Sequence, residues 1–569
     1  MFLRSSRRRA SAAAVGMLAV AMVAAACAGS SGGSGTKAGA GDVTKANTLI
    51  AYTGQAGDYQ LNFNPYSPSL IGGPGTIFES LFFFNQVKDV APAPLLGKSY
   101  TWNATGTVLT ITTRSGVTWS DGKPFSAKDV AFTLDMLAAN PAINTVGYAG
   151  HAKATDDTHV VVTFAKPSYM DGPQLLGKTF IVPQHIWSAI KVPATDTMAK
   201  PVGTGPYTLT DFKAQAFTLT ANPKYWGGPP AVKAVRYLAL AGNQSGADAL
   251  GAGQIDWQTG PVPDLAKVEK TYPGYKAITV PLNQMALFTC SNAALGCTGP
   301  QTDPAVRKAI YYGMDRTQLN ALAFQGTASD MSPGLALMPR DQAYVSADLK
   351  EKLAPSSPQA DKAKALLEGA GWVKGADGIY AKNGKPLAMT VKVVTGWTDY
   401  ITAVDTMGQQ LKAIGIKITA AQVSWNEWAD ARGQGHFELL IDSLNGGPSA
   451  DPYYLNAYFL SSLNTAKVGK TANPNYARFS DPKVDAALAA LKSIDPTKTQ
   501  DRKVQLGIIQ TQVEENMPYI PILTGGTTSE FHSAKFDGWP SKDDLYAFPA
   551  VWSRPDDAQI YKHLKPTGK

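Results

Sequence analysis

Residues Thr112 to Leu137 read TTRSGVTWSDGKPFSAKDVAFTLDML, and they pass from strand to turn to helix in one short stretch. With the residues just before, VLTITTRSGVTW (Val108 to Trp119) alternates apolar and polar positions as a strand, a turn and a second short strand would. Ser120-Asp121-Gly122-Lys123-Pro124 is a turn by its own chemistry, with a glycine free to take positive φ. Ser126, with Asp129 three residues on, predicts a capped helix over AKDVAFTLDMLAA.

The same grammar continues outward. Asp303-Pro304 supplies an N-cap and a first-turn proline, and Val306, Ala309, Ile310 and Gly313 fall on one helical stripe. Helices are also expected over Ala360 to Leu367, Asp399 to Ala413 and Asp481 to Leu491. Gly415 stops the second of these before a strand in IKITAAQV. Strands alternating with helices from Asn47 onward predict an α/β body.

At 569 residues the chain exceeds what one hydrophobic core usually serves. An apolar fraction of 44%, with 11 Trp, 23 Tyr and 20 Phe, excludes a mainly disordered chain. The formal charge of +8 looks basic, but Arg4, Arg7, Arg8 and Arg9 all lie in the first ten residues. Without those four, the 52 basic residues fall to 48 against 44 acidic ones. No basic run elsewhere looks like a phosphate-binding footprint, so no nucleic-acid partner is expected.

Residues 1–9 form a positive segment and Ala10 to Ala26 an apolar one, too short for a typical bilayer span and ending in small residues. That is the pattern of a signal peptide over 1–26. Its end, Val23-Ala24-Ala25-Ala26-Cys27, resembles a bacterial lipobox, which would make Cys27 the lipid-modified first residue of the mature protein. The Gly-, Ser- and Ala-rich stretch that follows completes a flexible tether over 27–46. Ser6-Arg7-Arg8 partly resembles a twin-arginine signal, and the export route stays open. Cys290 and Cys297, in an exported protein, are expected to form a short disulfide loop, because two cysteines with no nearby histidine make a poor zinc site.

Catalytic patterns are missing. The six histidines form no metal-binding pair at helical spacing, and the one Gly-x-Ser-x-Gly, at Gly29 to Gly33, falls in the tether. Gly97-Lys98-Ser99 has Pro92 where a phosphate-binding loop needs its first glycine. No metal, cofactor or enzymatic activity is expected, and a tethered extracellular hydrolase is the minor alternative.

Several ordered motifs resemble one family. Thr112 to Leu137 is joined by FNPY (Phe63 to Tyr66), IFESLF (Ile77 to Phe82), GTGPYTL (Gly203 to Leu209), NPKYWGG (Asn222 to Gly228), DPAVRKAIYYGMDR (Asp303 to Arg316) and AKALLEGAGW (Ala363 to Trp372). Together they are similar to the extracellular solute-binding proteins of family 5, which serve ABC importers for peptides, nickel and some oligosaccharides. The resemblance implies the two-lobe periplasmic-binding-protein fold of type II, with the chain crossing twice between lobes and the ligand in the cleft. Lobe I would comprise 47–85, 196–284 and 515–569, with an extra subdomain over 86–195, and lobe II would be 285–514. It implies hinge closure on a small-molecule solute. The loaded monomer would then dock on a permease whose ATPase is a separate subunit. Anchored by Cys27, it would stand on the outer face of the bacterial cytoplasmic membrane.

Peptide binders of the family place an aspartate for the peptide ammonium shortly after a strand similar to GHFELLIDSLNGGPSADPYYLN (Gly435 to Asn456). Counting along it puts Gly447 or Pro448 at that place, neither able to carry charge, with Asp442 or Asp451 as shifted substitutes. The tail FDGWPSKDDLYAFPAVWSRPDDAQIYKHLKP (Phe536 to Pro566) and RFSDPKVDAALAALKSID (Arg478 to Asp495) are similar to members that bind β-linked oligosaccharides. An oligosaccharide is therefore the first expectation and an oligopeptide the alternative. Sugar sites need flat aromatics with amides and carboxylates in reach. The candidates are Asn64, Tyr66, Trp257, Asn283, Trp397, Trp425, Trp428, Asn445 and Asp451. Large aromatics mostly fill cores, so about half of these are expected to be structural. Trp226 and Trp372 are assigned to packing. Trp428→Ala is expected to weaken binding and leave the fold intact.

Overall fold

The computed structural model describes residues 47–568 other than 68, 89, 145, 146, 263, 264 and 445. The signal segment, Cys27 and the tether lie outside the described residues, as does Asn445. A ten-stranded sheet is the backbone of the fold. Its order across the sheet is 417–423, 388–394, 439–444, 276–289, 519–531, 257–259, 48–52, 234–238, 216–221 and 207–213.

The two middle strands, Lys276–Thr289 and Tyr519–Phe531, are the longest and pair antiparallel with each other. On one side of them, Thr48–Tyr52 pairs parallel with both of its neighbours; on the other, Ala388–Val394 does the same. Each long strand serves several cores. Ile278, Val280, Leu282 and Phe531 belong to one hydrophobic cluster with Leu49, Phe217 and Tyr237, whereas Met285, Leu287, Ile520 and Ile522 belong to another with Val391, Met407 and Leu439. Ala286, Phe288 and Tyr519 join a third with Leu440 and Phe459. Register shifts between Pro281 and Asn283 and between Met285 and Ala286 fall where membership changes. A bulge adds local twist, so these positions bend the two connecting strands between the cores.

The opening stretch folds as expected at its cap. Helix Ala127–Ala139 carries a complete capping box between Ser126 and Asp129, and it buries Val130, Leu134 and Leu137. Val108–Thr113 buries Leu109 and Ile111 within a four-stranded antiparallel sheet of 97–102, 108–113, 159–163 and 151–154. The second short strand expected near Trp119 is only an isolated bridge, Thr118 with Pro124, because the Asp121 turn closes at once. Helices Pro304–Gly313, Ala360–Gly369, Thr398–Ala413 and Pro482–Ser493 occupy the expected places. Cys290 and Cys297 are joined by a disulfide, with a Cα–Cα distance of 5.4 Å, just past the end of a long strand. No described helix is long and apolar enough to cross a membrane.

One buried group bears on stability. Glu530, on the long strand 519–531, is fully buried, and among the described residues neither carboxylate oxygen has a hydrogen bond of good geometry, its cross-strand neighbour Gln258 giving only weak support. Burial raises its pKa well above the ordinary glutamate range. The folded form therefore keeps its proton while the unfolded chain releases one above about pH 4.3, so stability falls as pH rises beyond that value. Glu530→Gln removes this penalty. It is expected to raise the unfolding midpoint at pH 8 and leave it nearly unchanged at pH 4, as thermal melts at the two pH values would show.

Candidate functional site

Two cavities of about 390 and 370 Å³ share Leu70, Arg432, Asp442, Ser443 and Arg554, so they are branches of one space. Its walls come from the carboxyl ends of the parallel strands. Thr53 and Gly54 follow strand Thr48–Tyr52, and Gly260 follows Trp257–Thr259; facing them, Trp397 lies just past Ala388–Val394, and Trp425 just past Lys417–Val423. In open α/β sheets the crevice outside the strand carboxyl ends is where ligands bind. Trp397 and Trp425 pack on a core of Phe288, Trp428, Leu440 and Phe459, whereas Tyr66 packs on the core of Leu49, Phe217 and Tyr237.

The 370 Å³ branch is aromatic and amide-rich. Trp397 is half-buried, packs edge-on against Trp428 (5.2 Å between ring centres) and Tyr400 (5.7 Å), and its indole N–H donates to the Gly54 carbonyl at 3.4 Å. Trp425 and Trp552 line the same branch with Asn243 and Asn283. Asn283 donates to Thr527 Oγ1 at 2.6 Å. Tyr66 lines the 390 Å³ branch, where its hydroxyl donates to the Phe180 carbonyl.

Four other expectations need correction, because the structure places these side chains away from the cavity. Asn64 is fully buried and donates to the carbonyls of Pro193 (2.6 Å) and Asp196 (2.7 Å), tying two segments of the body together. Trp257 is core, with its N–H on Ser529 Oγ at 2.7 Å and its ring edge-on to Trp539 and Tyr561. Trp428 is 2% exposed and packs against the Trp397 ring and the Arg432 guanidinium, so its removal is expected to cost stability rather than spare the fold. Asp451 caps helix Pro452–Leu460 and grips Arg502. Trp226 and Trp372 pack as expected, their N–H groups on Glu79 and Asp303.

Charges complete the site. Arg432 Nη1 donates to Asp442 at 2.6 Å, and its guanidinium lies 4.4 Å from the Trp428 ring centre and 4.5 Å from that of Tyr476. Burial lifts the Asp442 carboxyl against the opposing pull of Arg432. Asp399, in the first turn of helix Thr398–Ala413, accepts from Asn243 Nδ2 at 3.0 Å; burial pushes it up to about 6. Asn243, Asp399, Trp552, Arg554 and Lys178 escaped the sequence reading as site residues. Trp552 and Arg554 stood in the quoted tail, but nothing local marks a tail residue as facing a cleft.

The two sides also touch directly. The Asn243 N–H donates to the Gly396 carbonyl at 3.0 Å, where Gly242 and Gly396 both have positive φ. A Cβ on Gly242 would stand 2.7 Å from the Gly396 oxygen, so the crossing requires glycine. Elsewhere Lys492 pairs with Asp171 at 2.9 Å, and the Tyr454 hydroxyl donates to the Met170 carbonyl at 3.0 Å.

A profile of the bacterial extracellular solute-binding proteins, family 5, middle region, matches residues 91–466. The chain belongs to this family. Among family-5 relatives, the nickel-binding periplasmic protein of Escherichia coli K12 is 26% identical over 487 residues, covering 81% of this chain and 86% of that one. The oligopeptide-binding protein AppA of Bacillus subtilis is 25% identical over 431 residues, covering 73% and 75%. A mannohexaose-bound periplasmic oligopeptide-binding protein of an ABC transporter from Thermotoga maritima superposes with a TM-score of 0.83 at 21% identity, covering 92% of this chain and all of that one. This family-5 chain therefore has the two-lobe fold. Among the described residues, no group of three or more His, Cys, Asp and Glu side chains is placed to hold a metal ion.

Proposed function

We propose that this chain is the solute-capturing lipoprotein of an ABC importer, and that its cleft closes on a β-linked oligosaccharide. The observation that carries the ligand class is the grouping of Trp397, Trp425 and Trp552 with Asn243 and Asn283 around one cavity. Flat indole faces suit the apolar faces of pyranose rings, and the amides suit their hydroxyl edges. The mannohexaose held by the Thermotoga maritima neighbour supports the same reading. On this account lobe I takes 47–85, 196–284 and 515–569, and lobe II 285–514, with the bulged middle strands as the hinge. The mature protein is tethered through Cys27 to the outer face of the membrane. It hands its cargo to a permease driven by a separate ATPase and carries out no chemistry itself.

An oligopeptide is the second reading. Asp399 supports it, since a carboxylate lining the cavity is a partner for an ammonium group, and AppA supports it by name. A thermal-shift screen of cello-, xylo- and manno-oligosaccharides beside di- to pentapeptides separates the two, because a ligand that binds only the folded state raises its melting temperature. Stabilisation by peptides alone rejects the sugar reading, and turnover of any compound rejects the binding role. Gly396→Ala, whose new Cβ would stand 2.7 Å from the Ala241 carbonyl oxygen, is expected to hold the lobes apart and weaken capture several-fold in a calorimetric titration.

A further inference from the structure

Arg554 is the cation of the cleft whose head group has no partner. It lines both branches of the cavity and a third pocket of about 270 Å³ beside them. Its stem is seated on the lobe I backbone: a Cβ on Gly75 would lie 3.0 Å from both Arg554 Cβ and Cγ. Among the described residues, no hydrogen bond reaches its guanidinium and no carboxylate comes within ion-pair distance. The other cations are engaged, Arg432 with Asp442 at 2.6 Å and Lys178 with the Arg554 carbonyl.

The acids behind it do not neutralise it. Asp556 is turned toward Gln86 Nε2 (2.7 Å), Ser553 Oγ (2.9 Å) and the Phe548 N–H (3.0 Å). Asp557 is fully buried and accepts from the Ala558 N–H at 2.8 Å. Burial pushes its carboxyl up to about 8, and although its charge favours the Arg554 cation, the two form no ion pair. A half-buried guanidinium left without an anion is costly, and a carboxylate from outside can meet its planar fork with two parallel hydrogen bonds.

We infer that Arg554 receives a carboxylate carried by the solute, so that the cargo is acidic: an oligosaccharide bearing a uronic acid. This deepens the sugar reading above and rests on it. The tryptophan wall and Arg554 line the same 370 Å³ branch, so stacked rings and a carboxylate can be held together. A peptide's C-terminal carboxylate offers the same chemistry, and the experiment separates the two sources.

The test compares matched pairs by calorimetric titration of the native protein: xylotetraose against a glucuronic-acid-bearing xylotriose, and trialanine against its C-terminal amide. The acidic sugar is expected to bind about tenfold more tightly than its neutral partner, an advantage that shrinks with added salt. Arg554→Gln should abolish that advantage, and Arg554→Lys, which keeps the charge but not the fork, should keep only part of it. If the glutamine variant does not fold, the lysine variant and the salt dependence of the native protein decide. Equal binding of both xylose-based probes overturns the inference while leaving the sugar reading in place. A carboxylate advantage confined to the trialanine pair overturns the acidic-sugar assignment and the sugar reading together, as does failure of all four probes to bind. A preference undiminished in Arg554→Gln also overturns the inference, by placing the receptor elsewhere.

Discussion

Asp451→Ala is expected to destabilise the folded protein by about 3–5 kcal/mol, the range for breaking a buried ion pair from one side. Arg502 is fully buried, and its Nη2 donates to both Asp451 oxygens, at 2.7 and 2.6 Å. Its remaining contacts are poor: Nη1 faces the Met170 sulfur at 3.2 Å, and Nε has no partner. Removing the carboxylate strands a guanidinium in the core and also uncaps helix Pro452–Leu460, where Asp451 accepts from the Tyr453 N–H at 2.9 Å. Urea titration measures the loss. Asp451→Asn, which can keep the cap but not the charge, separates the two contributions, and a loss below about 1 kcal/mol would show that Arg502 finds another anion.

The second large effect sets two tryptophans of one helix against each other. Trp428→Ala is expected to cost about 3–5 kcal/mol of stability, as truncation of a buried tryptophan does, because it removes the floor beneath Trp397 and one face of the Arg432 sandwich. Trp425→Ala should change stability little, since that ring is half-buried at the cavity wall, yet lower affinity by about tenfold or more. Melting curves and titrations on both variants check the pair. Equal effects on stability would mean that Trp425 is packed like Trp428.

That pair also shows where sequence reading stops. Trp425 and Trp428 are three residues apart on helix Trp425–Gln434, and SWNEW carries no sign of which indole faces the cleft and which lies beneath it. The answer depends on how the helix docks, as it does for Trp257, whose short strand is enclosed by Trp539 and Tyr561 from the far end of the chain. Local signals were stronger. The Ser126–Asp129 box and the Asp303-Pro304 start predicted helices that formed, and they needed no tertiary knowledge. The role of Asp451 was legible by the same rule, because Asp451-Pro452 repeats the Asp-Pro start seen at 303 and 481. That signal marks a helix cap rather than a ligand contact. Asn64 was not legible, since its carbonyl partners lie about 130 residues away in sequence. Arg554 escaped for the opposite reason. What marks it is the absence of a partner, which only the folded arrangement reveals.

The central claim is that the cleft captures a solute between the two lobes. The most direct measurement is a calorimetric titration of the protein with oligosaccharides and peptides, run beside Trp397→Ala and Trp425→Ala. Saturable one-to-one binding of an intact oligosaccharide, weakened in both variants without loss of fold, is the predicted result. No saturable binding of any oligosaccharide or peptide, or binding that both variants leave unchanged, would contradict it.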